Sequence, residues 1–169
     1  MSRRDTAAVN AELQQLYDRV PVIDCKGACR TTCTVIEMSD RERERIAERG
    51  VDIPPLTRAP SFTHPKPCAA LGAFGQCTVH DVRPMISRIW GVTEDLPCVY
   101  GCTPAEYLST AEAMELLGEA SRVGGPPKGL EGISGAILAA QLSDPGTAEA
   151  FRRILHRGYA GDRRKAGLT

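Results

Sequence analysis

The sequence predicts a mainly α protein whose helices pack around a small, irregular, cysteine-rich core. Three observations predict it. Apolar residues recur at helical spacing early in the chain, as Val9, Leu13, Leu16, Tyr17 and Val20, and late, as Ala148, Phe151, Leu155 and Tyr159. The stretch between Cys68 and Cys102 is rich in glycine and proline and has few periodic apolar positions. All seven cysteines, Cys25, Cys29, Cys33, Cys68, Cys77, Cys98 and Cys102, lie between positions 25 and 102.

A length of 169 residues suits one domain with a core of its own. Within it, residues 22–102 are expected to form the cysteine-cluster region, 103–160 a C-terminal helical region and 161–169 a flexible tail. The first helix is expected to stop at Pro21. Val22 and Ile23 read as extended, and Cys25, Cys29 and Cys33 follow at four-residue spacing, which would place them on one face of a helix. Gly27 and the Thr31-Thr32 pair weaken such a helix, so a loop passing into a helical turn is the alternative.

Ser39-Asp40-Arg41-Glu42 reads as a capping box, and Gly50 as the stop of the helix it starts. The charged run between them suggests a solvated face, with Arg41–Glu44, Glu42–Arg45 and Arg45–Glu48 as surface pairs. Five prolines between 54 and 67 forbid a regular helix there. Thr103, Pro104 and Glu106 predict a helix start, Tyr107, Ala111, Met114 and Leu117 its apolar stripe, and Gly124-Gly125 its end. A short helix over 133–142 and a last amphipathic helix from Ala148 complete the order.

Lysine plus arginine balance aspartate plus glutamate at 21 each, which argues against a protein devoted to nucleic acid. No run approaches the ~20 apolar residues of a membrane span, and no secretory leader is visible. The expected location is the cytoplasm, where thiols stay reduced and a disulfide framework is disfavoured. Buried free thiols would not be expected to cluster as these seven do. A thiolate is a soft ligand, and four of them complete a tetrahedral zinc or hold an iron–sulfur cluster. The core is therefore expected to be metal-binding, with all seven cysteines as ligand candidates, Cys25, Cys29 and Cys33 foremost, and His64 and His80 as nitrogen alternatives. Structural zinc sites favour C-x2-C pairs, which are missing here, while a local triad with a remote fourth cysteine is nearer to iron–sulfur ligation. The expected cofactor is thus a [4Fe-4S] cluster or Zn2+, with the cluster first.

These residues also resemble the YkgJ-like cysteine-cluster family, described as a zinc- or iron-chelating domain. Cys25-x3-Cys29-x2-Thr32-Cys33 is similar to the family's C-x3-C-x2-C-C opening, with Thr32 in place of one cysteine. Cys68-x2-Leu71 and then Cys77-Thr78-Val79-His80-Asp81-Val82-Arg83-Pro84-Met85-Ile86-Ser87-Arg88 resemble its C-x-[IV]-[YH]-x-x-R-P-x-x-C-R stretch, with Ser87 at a cysteine position. The resemblance covers residues 25 to 102 and implies a metal without implying a reaction. Flagellin lysine methylases look related through a similar cluster, but nothing here matches a methyl-donor site.

Arg83 and Arg88 are expected to sit behind the ligands, where they would offset the charge of about −2 that four thiolates leave on one divalent metal. Trp90 reads as a packing anchor. Other classes remain. The spacing C-x3-C-x3-C misses the radical-SAM C-x3-C-x2-C by one residue in a short chain. A nucleophilic cysteine would need His64, His80 or His156 within reach. An iron–sulfur enzyme modifying a protein or nucleic acid is the enzymatic alternative. A zinc-stabilised module, using Arg152, Arg153, Arg157, Arg163, Arg164 and Lys165 to dock an acidic protein or, less favoured, nucleic acid, is the binding alternative.

Overall fold

A computed structural model describes residues 5–25, 27, 33, 36–55, 67–98 and 100–126. The helices expected after residue 126, the tail and most of the proline-rich loop lie outside those residues. Four α-helices and one two-stranded sheet make up the regular structure described, so this part of the chain is mainly α. None of the described helices is long and apolar enough to cross a membrane.

Helix α1 spans Thr6–Asp18, and the side chain of Asp5 caps it by accepting from the backbone N–H of Ala7 at 3.0 Å. Val9, Leu13 and Tyr17, four residues apart, form its buried stripe. They meet Ala113, Leu116, Ala120 and Val123 of α4 (Thr110–Gly124), and Met85 and Ile89 of α3 (Met85–Ile89), in one core cluster.

The start of α4 differs from the expected one. Two capping boxes compete in this stretch, Thr103/Glu106 and Ser109/Glu112, and the second is the one that forms. The residues of the first are taken into extended pairing. Pro104 bridges Ile23, and Leu108 exchanges backbone hydrogen bonds with Val92 and Glu94, at 2.9 and 3.0 Å. The helix stripe therefore shifts from Tyr107 and Ala111 to Ala113 and Leu116.

Helix α2 (Asp40–Ala47) has the capping box that its sequence predicts, and Gly50 follows it at φ 79°. Its N-terminus docks on the end of α4, with the Asp40 N–H donating to the Gly125 carbonyl at 3.3 Å. Gly124 makes this approach possible, because a Cβ there would overlap Oγ and Cβ of Ser39. Gly124→Ala should cost about 1–3 kcal/mol by overpacking, seen as a lower urea midpoint at unchanged m-value.

The expectation of a solvated α2 face fails at two residues. Arg41 is 8% exposed and Glu42 2%. Arg41 is held by Asn10, Glu44 and Glu48, at 2.8, 2.9 and 2.8 Å, so of the three expected pairs Arg41–Glu44 is the one that forms. Glu42 turns inward, where it serves neighbouring elements.

Ile46 leads from α2 into a second, smaller cluster with Met38, Ile53, Cys68, Ala70, Val79 and Val82. After it come a 3-10 turn at His80–Val82, α3, and the antiparallel pair β1 (Val92–Thr93) and β2 (Leu96–Pro97), registered Val92↔Pro97 and Thr93↔Leu96. The segment 68–102 thus buries more than its composition suggests, with Met85, Ile89, Val92, Leu96 and Tyr100 all 2% exposed or less.

Candidate metal centre

The cysteines fall into two neighbourhoods. In the first, Cys33 and Cys68 are joined twice. The N–H of Cys68 donates to the Cys33 carbonyl at 2.9 Å, and the two thiols share a hydrogen bond. That bond lowers the Cys68 pKa to about 6, against the opposing effect of burial and with help from the Ala70 N–H. Cys77 packs against the same apolar cluster as Cys33 and Cys68. A tight turn brings it there. Leu71 bridges Cys77, the Gly72 N–H donates to the Gln76 carbonyl at 2.8 Å, and Gly75 adopts φ 82°. Thr78 closes the turn with backbone and hydroxyl bonds to the Ala70 carbonyl, both 2.9 Å.

In the second neighbourhood, the antiparallel bridge Ile23↔Pro104 brings the chain just after Ile23 alongside the chain just before Pro104. Cys25 and Cys102 stand two residues along on each side. Cys102 is 5% exposed, whereas Cys25 is exposed and accepts a 3.4 Å bond from the Gly27 N–H. Cys98 begins the turn that leads to Cys102, the Gly101 N–H donating to its carbonyl at 3.1 Å. Gly91 lies between Cys98 and Ile23, since a Cβ on it would stand 3.4 Å from Cys98 Cβ and 3.5 Å from Ile23 Cδ1.

The foremost triad is therefore divided, with Cys25 in one neighbourhood and Cys33 in the other. Cys29, its middle member, and His64 lie outside the described residues. Among the described residues no group of three or more His, Cys, Asp or Glu side chains converges in a way that could hold a metal ion. The donor set nevertheless suits a soft metal. Two thiols already share a hydrogen bond, a third packs on the same cluster, and one of them needs little alkali to ionise.

His80 is engaged elsewhere. Its Nε2 contacts Nη1 of Arg83, and its pKa is lowered by burial first, then by Arg83 and Arg88. The ring thus accepts from the guanidinium as a neutral imidazole. Arg88 donates to the carbonyls of Arg83 and Asp81, at 2.9 and 2.7 Å, and its Cζ lies 4.1 Å from the Tyr17 ring centroid. Neither arginine contributes to the lowered pKa of Cys68. Trp90 is half-buried at the end of α3.

Sequence reasoning missed Tyr17, Glu42 and Arg45 as a polar group inside the fold. Glu42 Oε1 accepts from Tyr17 Oη at 2.9 Å and from the Met85 N–H at 2.7 Å, while Oε2 accepts from Ser39 N–H and Oγ at 2.9 and 2.8 Å. Burial, then Glu42, push the Tyr17 hydroxyl well above the ordinary phenol range. The capping box gave Glu42 a local role; its bond to Met85, 43 residues away, had no sequence signal. No family model matches the chain, and no curated protein and no solved structure matches it either.

Proposed function

We propose that this is a cysteine-ligated metal protein, carrying a [4Fe-4S] cluster or Zn2+ in a structural, redox or metal-handling role. The hydrogen-bonded Cys33–Cys68 thiol pair supports the reading most directly. Metal binding displaces thiol protons, and a thiol with a pKa of about 6 gives up its proton at neutral pH with little cost. Cys77, which packs on the same apolar cluster, is a further donor. The lack of any C-x2-C pair favours the cluster over zinc. Such a site is in keeping with the resemblance of residues 25 to 102 to the YkgJ-like proteins, with Thr32 and Ser87 standing at two of the family's cysteine positions.

Protein purified without oxygen should carry iron with acid-labile sulfide and a brown chromophore if the cluster is present, or stoichiometric colourless zinc. Absence of both, with all seven thiols titrating freely in the folded protein, would remove the proposal.

A further inference from the structure

Guanidinium groups from α2, from α3 and from the link before α3 gather at the rim of the helical core. Arg45 and Arg88 both lie over the Tyr17 ring, with Cζ at 5.4 and 4.1 Å from its centroid. Arg83 stands beside Arg88, whose Nε holds the Arg83 carbonyl at 2.9 Å, and its own Nη1 contacts His80. One guanidinium over a tyrosine is a favourable contact, but more of them repel one another. The positive form of Arg88 is disfavoured by burial and by both Arg83 and Arg45.

The nearby carboxylates are committed to other groups. Both Glu42 oxygens are filled by Tyr17, Met85 and Ser39. Asp81 pairs with Arg49 at 2.6 Å, and Glu44 and Glu48 pair with Arg41. Neither Arg45 nor Arg88 forms an ion pair among the described residues. Nη1 of Arg45 is buried and has no hydrogen-bond partner among them. The three arginines are half-buried and His80 is exposed, so part of the group faces solvent, and the buried Nη1 of Arg45 would turn outward to meet a ligand.

We infer that Arg45, Arg83 and Arg88, with His80 at the edge, form a binding site for a phosphate-type dianion, free or as a monoester. Planar guanidinium forks match the oxygens of a phosphate, forming charge-assisted bonds of about 2.7–2.9 Å. A dianion would offset their mutual repulsion, and the unused donor of Arg45 would gain an acceptor. His80, accepting through Nε2, keeps Nδ1–H as a further donor. The site uses no cysteine and does not rest on the metal reading.

The test is calorimetric titration of the full chain, as purified, with inorganic phosphate and separately with phosphoserine at constant ionic strength. Saturable binding with Kd of about 1 mM or tighter is expected, with a melting temperature that rises with ligand concentration. Arg45→Gln and Arg83→Gln should each weaken binding about 10-fold, as loss of a charge-assisted bond does. Arg122→Gln, on the exposed side of α4, should leave it unchanged. Arg45→Gln breaks no hydrogen bond found among the described residues, so it should fold, which circular dichroism checks. Equal affinity for the two ligands assigns the site to phosphate esters, and phosphate alone assigns it to the free ion. No saturable binding of either ligand, or unchanged affinity in both Arg45→Gln and Arg83→Gln, overturns the inference.

Discussion

Glu42→Ala should destabilise the protein by about 3–5 kcal/mol, the range for stranding the partners of a buried charged group. Four donors converge on this carboxylate: Ser39 N–H and Oγ, Tyr17 Oη and the Met85 N–H. They come from the start of α2, from α1 and from α3, so one side chain ties three helices together. Helix α3 has no side-chain cap next to it in sequence, and Glu42 supplies the acceptor from across the core. Alanine would leave Tyr17 Oη and the Met85 N–H buried without their acceptor. Glu42→Gln should lose about half as much, because one oxygen remains while the amide N–H2 faces a donor whichever way it is turned. Tyr17→Phe, which removes one of the four donors, should cost about 1–1.5 kcal/mol. Urea denaturation of the three variants gives the order directly. A loss below 1 kcal/mol for Glu42→Ala would mean that water replaces the carboxylate without penalty.

The contrast between Ser39 and Glu42 shows how far the sequence reaches. Ser39-x-x-Glu42 is a local pattern, and it forms as written. The same carboxylate then serves Tyr17 and Met85, at separations of 25 and 43 residues, and no periodicity encodes that. Charge misleads in the same place. A run of alternating arginine and glutamate looks solvated, yet an eight-residue helix packed on α4 must turn some of those side chains inward. Arg41 and Glu42 are the ones turned, and each is satisfied by hydrogen bonds once inside. The start of α4 departs from its first local signal for a related reason. Thr103/Glu106 and Ser109/Glu112 are equally good caps locally, and the pairing of Pro104 with Ile23 and of Leu108 with Val92 decides between them. For the cysteines, the composition signalled a cluster. It did not show that Cys33 would side with Cys68 while Cys25 sides with Cys98 and Cys102, because that division depends on which strand fragments pair.

If the proposed metal is bound, removing it should loosen the cysteine half of the fold and leave the helical half intact. The two core clusters differ in substance. The helical one joins Leu13, Tyr17, Met85, Ile89 and Leu116, large side chains from three helices. The other relies on Met38, Ile46 and Ile53 together with smaller groups, Cys68, Ala70, Val79 and Val82, and the turn beside it contains Gly72 and Gly75 and leaves Phe74 exposed. Burial supplies less there, so a ligated metal would contribute more, as binding energy becomes folding energy. After chelation, amide exchange should speed up by orders of magnitude at residues 68–79, while α1 and α4 keep their protection. Cys68→Ala should give the same pattern without chelator. In the metal-free protein the remaining stability should also depend on pH. The Cys68 thiol has a folded pKa of about 6 against an ordinary 9.0, a depressed value. Its contribution is therefore fully present above pH 9.0 and is lost as the pH falls towards about 6. Melting temperatures of the metal-free protein should rise between pH 6 and pH 9, and Cys68→Ala should flatten that rise. Uniform loss of protection across α1 and α4 would instead show that the metal holds the whole fold. Unchanged exchange at 68–79 would show that apolar packing suffices there, and would turn attention to Cys25, Cys98 and Cys102 as the ligand group.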